Sequence, residues 1–359
     1  MKNIAKLLIL PLIIVVLHSC ERQKLMEDCI CTTKAAIPIH IDWEASGVTP
    51  KNVTVLLYNK SDGSLAQEHM FQHNDADIQS YIYVPMGEYT VVVFNELRGQ
   101  IEYVDVEDHE SLLTLKFVSE TNNSAIARSS TLDYVQQPGG LAVQIVEDFE
   151  VTKEVILYTA TMGDSVTDDD TSKSTDEDVS RSTSTALMNI ETEQKTCWLT
   201  ITAHFKNLNY ARMPSLVDLS NIANGYYVGS DKNTLDPARM QFTMNNRTYD
   251  EGSDSEGTIS TTVALFGTLG DRLSTSDHTD ETPITIDILF MQIDEEQSLV
   301  NYSQDVTDLI EFGDDGLNLT IDIDFSDPLP VVTPEGWEDS GFSTGLEDWT
   351  VVEVPLING

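Results

Sequence analysis

The sequence predicts an all-β protein: two antiparallel β-sandwiches in tandem. Apolar residues recur at every second position through most of residues 35–325, and nothing between those limits reads as a long amphipathic helix. A stretch rich in Ser, Thr and Asp divides these strand signals into two groups. Turn residues punctuate the runs at the short spacings expected of a sandwich.

The amino terminus reads differently. Lys2 and Lys6 precede an apolar run over residues 7–17 that Pro11 interrupts. A membrane-spanning helix needs about 20 apolar residues, so this run reads as a signal peptide over residues 1–19. It ends in Leu17-His18-Ser19-Cys20, the pattern of a bacterial lipobox, with an aliphatic residue at −3 and a small one at −1. Cleavage is expected between Ser19 and Cys20, with Cys20 the lipidated residue. Two or more acyl chains make such anchoring stable, since each buried CH₂ contributes about 0.8 kcal/mol. The alternative is an ordinary signal peptide with an accidental Cys at that position.

Removing nineteen residues from 359 leaves enough chain for two domains, each with a core. Acidic residues outnumber basic ones by 60 to 20, a formal net charge of −40. Such a polyanion is a poor binder of nucleic acid and is repelled by anionic lipid. Its simplest consequence is solubility outside the cytoplasm. Cys29, Cys31 and Cys197 are too few for a disulfide framework, and the Cys29-Ile30-Cys31 pair is too sparse for zinc.

Residues 20–34 read as a polar tether, and residues 35–162 as the first sandwich. Ile37, Ile39, Ile41 and Trp43 share one strand face, and Val53, Val55 and Leu57 form the next. Ile82 with Val84, then Val91 with Val93, are expected to form a hairpin across Gly87. Leu113, Leu115 and Phe117 follow, and residues 143–146 and 155–158 are expected as the strands that close the unit. Residues 163–190 are too polar to bury much surface and read as a linker. A calcium site in its Asp cluster is the rival reading, but the spacing and closing Glu of an EF-hand are missing.

The second sandwich is expected over residues 191–359. Leu199, Ile201, Ala203 and Phe205 oppose Trp198, Thr200 and Thr202. Leu216, Leu219 and Ile222 recur at helical spacing, so residues 215–222 are expected to be a short helix or turn. Further strands are expected around Met240–Met244, Ile259–Leu265 and Ile284–Phe290. The cleanest alternation is Leu317, Leu319, Ile321, Ile323 and Phe325 against Asn318, Thr320, Asp322 and Asp324.

Residue patterns that only chemistry would explain are few. His69 and His73 stand four apart without the Glu of a helical zinc-protease motif. No nucleophile elbow, phosphate loop or dinucleotide fingerprint occurs, so no catalytic residue, metal or cofactor is expected. Trp43, Trp198, Trp337 and Trp349 are candidates for a sugar-stacking platform, although for the two on strand faces a core role is the stronger reading.

The lipobox, the Ile39-His40-Ile41-Asp42-Trp43 strand, residues 53–58 and the segment Tyr83-Val84-Pro85-Met86-Gly87-Glu88-Tyr89-Thr90-Val91-Val92-Val93-Phe94-Asn95 resemble fimbrillin-like lipoproteins of Bacteroidales. So does residues 197–205 followed by Leu219-Ser220-Asn221-Ile222-Ala223-Asn224-Gly225-Tyr226. The resemblance implies transthyretin-like sandwiches, attachment to outer-membrane lipid through Cys20 at the cell surface, and a role in type V fimbriae or adhesion. Its partners would be other fimbrial subunits or ligands on host or bacterial surfaces. In polymerising subunits of that family a first strand is cut away after an Arg. Here only Arg22 precedes residue 98, which favours an anchor or accessory subunit. Two further expectations follow from the resemblance: O-glycosylation at Ser165, within Asp164-Ser165-Val166, and a terminal donor strand bearing Val352, Val354 and Leu356. That last segment reads equally as a final strand of its own sheet. The other class of function open to this chain is glycan binding in a lipid-anchored nutrient-uptake system.

Overall fold

The structure, a computed structural model, describes residues 33–72, 80–96, 100–123, 132–162 and 188–334. Leu17, Ser19, Cys20, Cys29, Cys31, His73, Ser165, Trp337, Trp349, Val352, Val354 and Leu356 lie outside the described residues. The lipobox, glycosylation and donor-strand expectations therefore fall there too.

The first sandwich packs a three-stranded sheet on a five-stranded one. In the smaller sheet, β1 (Lys34–Asp42) is flanked by β4 (Ser80–Pro85) and β10 (Met188–Glu191). The larger runs β11 (Glu193–Gln194), β9 (Ala142–Val151), β5 (Gly87–Asn95), β2 (Asn52–Asn59) and β3 (Leu65–Gln72). Alternation turns Ile37 and Ile39 of β1 and Ile82 and Val84 of β4 toward Val55, Leu57, Val91 and Val93, and Trp43 packs in the same core. Each such aliphatic side chain contributes about 1.5–3 kcal/mol through burial.

The second sandwich pairs two five-stranded sheets. One runs β17 (Asn246–Tyr249), β18 (Gly257–Leu265), β12 (Cys197–Phe205), β22 (Asn318–Asp324) and β21 (Ile310–Phe312). The other runs β20 (Leu299–Asp305), β19 (Thr285–Gln292), β13 (Ala211–Ala223), β16 (Pro237–Met244) and β8 (Tyr134–Val135). Phe205 anchors this core, stacked on Phe325 at 4.7 Å and edge-on to Phe290 at 4.9 Å. Most pairings are antiparallel; β1–β10, β12–β22 and β8–β16 run parallel.

A fifth sheet joins the halves. It runs β15 (Lys232–Asn233), β14 (Gly225–Tyr227), β7 (Lys116–Ser119) and β6 (Val104–Glu107), two strands from each half of the chain. It covers the back of the β11-β9-β5-β2-β3 sheet and forms a third core from Leu56, Tyr58, Phe94, Phe117, Tyr226 and Phe266. Residues 53–58 of β2 are consequently buried on both faces. At the seam, a Cβ on Gly225 would lie 2.2 Å from the Phe117 carbonyl oxygen, so only glycine lets the two strands approach.

Four expectations need correction. β4 and β5 form no hairpin: β4 pairs with β1, while β5 pairs with β2 and β9. Pro85-Met86-Gly87 arches from one sheet to the other, so Ile82, Val84, Val91 and Val93 meet across the core rather than side by side.

Residues 155–158 belong to a helix, α1 (Lys153–Met162). Its start is set by Thr152, whose hydroxyl accepts the Val155 N–H at 3.4 Å, and by Glu154 in the first turn. From the helix, Thr159 Oγ1 accepts the Ala36 N–H, satisfying a donor of β1.

Residues 215–222 lie within the long strand β13. Val217 and Leu219 keep strand alternation; a bulge between Ser220 and Ile222, with Asn221 at φ 61°, then advances the phase and mimics a helical step of three.

The linker and domain limits also shift. Residues 188–194, expected as linker and second sandwich, supply β10 and β11 to the first, and β8 crosses the other way into the second.

Candidate functional site

The first sandwich, the seam sheet and the second sandwich meet around residues 193–198, where the chain passes from β11 to β12. A buried polar cluster fixes this crossing. Lys195 is 5% exposed, and its Nζ reaches Glu193 Oε2 at 3.0 Å and Asp231 Oδ1 at 3.1 Å. Tyr226 of β14 donates its hydroxyl to the same Asp231 oxygen at 2.6 Å. Arg272, from the connection between β18 and β19, donates to the Lys195 carbonyl at 2.9 Å. Both cations lie 5.6 Å from the centre of the Tyr226 ring, a cation–π arrangement.

These contacts set the protonation states. Burial and then the bond to Asp231 push the Tyr226 hydroxyl above its ordinary range. Burial also raises the Asp231 carboxyl, but the Tyr226 and Lys195 hydrogen bonds and the charges of Lys195 and Arg272 outweigh it. The net effect holds Asp231 below the usual carboxylate value. Cys197, the next residue but one after Lys195, is a free thiol pushed up to about 12 by burial.

Beside this cluster opens a cleft of about 530 Å³. The loop after β1 gives Thr49 and Lys51; the chain after β5 gives Glu96, Gln100 and Glu102; Gln194 and Trp198 complete the rim. A ladder of polar contacts orders one wall. Asn52 Nδ2 donates to Glu96 Oε2 at 3.0 Å and to Gln100 Oε1 at 3.3 Å, and Glu96 Oε1 accepts the Lys51 N–H at 2.6 Å. Asn95 serves the fold instead, holding Gly140 and Ala142 backbone groups.

The tryptophans divide. Trp43 is 7% exposed and belongs to the first core, whereas Trp198 is 44% exposed on the outer face of β12, at the rim of the cleft. Sequence reasoning favoured a core role for both. The signal for Trp198 was its placement in phase with Thr200 and Thr202, which lie on the polar side of the same strand. The cluster residues Lys195, Tyr226, Asp231 and Arg272 escaped sequence reasoning, because nothing in their spacing brings them together.

The histidines are dispersed. His69 sits on β3, with its pKa lowered by burial and then by Lys34. His204 pairs with Asp322 at 2.9 Å on an exposed face, and His278 Nδ1 lies 3.0 Å from the Thr282 carbonyl. Among the described residues, no three His, Cys, Asp or Glu side chains converge as a metal site.

A sequence profile described as "Domain of unknown function (DUF5119)" matches residues 19–243. No curated protein matches the chain. Among solved structures, a candidate adhesin from Bacteroides ovatus is similar, with a TM-score of 0.50 and 17% identity over 83% of this chain and 94% of that one. A candidate polysaccharide-binding protein from Bacteroides thetaiotaomicron gives a TM-score of 0.44 and 10% identity over 81% and 89%. The fimbrial anchor protein Mfa2 from Porphyromonas gingivalis gives 0.43 and 10% over 81% and 90%. The first of these likenesses shows a shared fold.

Proposed function

Because the chain belongs to the family described as "Domain of unknown function (DUF5119)", a description that names no activity, we propose its function from fold and sequence together: a lipid-anchored adhesion protein of the cell surface, serving as an anchor or accessory subunit of fimbriae. The observation that carries this reading is the sandwich fold shared with a candidate adhesin across 83% of the chain, joined to the lipobox Leu17-His18-Ser19-Cys20 ahead of it. Two sandwiches locked by a shared sheet suit a protein that presents surfaces and sheet edges rather than reactive groups. In this reading the chain performs no catalytic step, outer-membrane lipid holds it through Cys20, and its partners are other fimbrial subunits or surface ligands.

Cys20→Ser in the native host is the test. The variant is expected to leave the membrane fraction and to lose cell adhesion or surface fibres while folding normally. A variant that stays membrane-bound refutes the lipid anchor. A chromosomal deletion with unchanged fibres and unchanged adhesion refutes the adhesive role.

A further inference from the structure

We propose that the cleft beside Trp198 binds a neutral carbohydrate, with the indole as its stacking surface. The assignment goes beyond the adhesive reading and holds whether or not the chain belongs to a fibre.

Trp198 is more exposed than Tyr249, the other exposed aromatic among the described residues of its sheet. Its neighbours in register are Asn318 on β22 and Ala264 on β18, and the face continues through Thr200 and Thr202. A large aromatic ring left 44% exposed among polar residues has no packing role that its burial would explain. It stands where the second sandwich meets a cleft belonging mainly to the first.

The rest of the cleft supplies complementary chemistry. A sugar ring offers one flat face of C–H groups and a rim of hydroxyls that both donate and accept. The indole matches the first. Gln100, Gln194 and the carboxylates of Glu96 and Glu102 match the second, since amides donate and accept while carboxylates accept. The Asn52 contacts hold Glu96 and Gln100 in place before any ligand arrives, so little ordering entropy remains to be lost. Gly139 lets the backbone close on Glu102 at the lining, since a Cβ there would lie 2.9 Å from the Glu102 Cβ. At about 530 Å³ the space lies within the range of small-ligand clefts.

Charge narrows the class. Glu96 and Glu102 outnumber Lys51 at the rim, within a chain of net charge −40. Uronic, sialylated or sulfated sugars would be repelled. Neutral hexose or pentose oligomers fit.

Calorimetric titration of the mature chain tests this with maltoheptaose, cellohexaose, xylohexaose and mannohexaose, and with oligogalacturonate as the acidic counterpart. At least one neutral oligomer is expected to bind with a dissociation constant on the order of 1 mM or tighter. Trp198→Ala is expected to weaken it by about tenfold or more, and Trp198→Phe by less. Gln100→Ala, on the wall ordered by Asn52, provides a second loss of binding independent of the indole. The proposal is overturned if no neutral oligomer binds, if oligogalacturonate binds more tightly than all of them, or if Trp198→Ala binds as the wild type does. Membrane fractionation of the same variants separates this outcome from failure of the anchor reading.

Discussion

Replacing Tyr226 by Ala should loosen the two halves of the molecule from each other. The side chain is fully buried in the third core, its backbone pairs with Phe117 across the seam, and its ring carries Lys195 and Arg272. Truncating a buried aromatic ring costs about 3–5 kcal/mol. Loss of the two cation–π contacts places the value toward the upper end of that range. Tyr226→Phe keeps the ring and removes only the bond to Asp231. Because the Asp231 side chain is 61% exposed, water recovers much of that loss, and the cost should be about 1 kcal/mol. Scanning calorimetry distinguishes the two variants. Wild type and Tyr226→Phe should melt as one cooperative unit, whereas Tyr226→Ala should melt about 10 °C lower or in two separate steps. A single unshifted transition for Tyr226→Ala, or equal losses for Ala and Phe, would show that the ring does not couple the halves.

Three further outcomes follow from the same region. Gly225→Ala drives a methyl group against the Phe117 carbonyl and should cost more than about 2 kcal/mol in urea unfolding, far above an ordinary glycine-to-alanine change. Cys197, held as a buried thiol with its pKa pushed up to about 12, should resist iodoacetamide at pH 8 in the folded chain and react fully in denaturant, as read by peptide mass mapping. Asp231 has a depressed folded pKa, so its contribution is complete above the ordinary carboxylate value and fades as pH falls through the lower folded value. The stability gap between wild type and Asp231→Asn should therefore be constant from neutrality down to about pH 5 and shrink below about pH 4.

Much of the strand content was legible because alternation reports directly which face is dry. Residues 318–324 of β22 alternate in burial without exception, as their sequence does. Alternation says nothing about which sheet a strand joins. Pro85-Met86-Gly87 therefore read as a hairpin turn although it is an arch, since both place the same side chains toward one core. Phase errors had local causes. Asn221 shifts β13 by one residue, and the Thr152 cap turns an apolar run that reads as a strand into α1. At the seam, Leu56 and Tyr58 sit on the face of β2 opposite Val55 and Leu57, and only the fold reveals what covers them. The cleft was half legible: Trp198 lies in phase with threonines, but Gln100 and Glu102 reach it through tertiary structure alone.

The seam sheet also constrains how the molecule can be made. Its strands come from residues 104–119 and 225–233, and the first sandwich waits for residues 188–194 to finish both of its sheets. A chain emerging amino end first cannot mature one half and then the other. Until more than half of its length has arrived, Leu56, Tyr58, Phe94 and Phe117 lack the cover that Tyr226, Val228 and Phe266 supply, and strand edges stand open. Such half-made chains stick to one another readily. The acidic excess already present in the first half of the chain sets neighbouring nascent copies against one another through that interval. On this view the acidity protects the route to the native state as well as the native state itself.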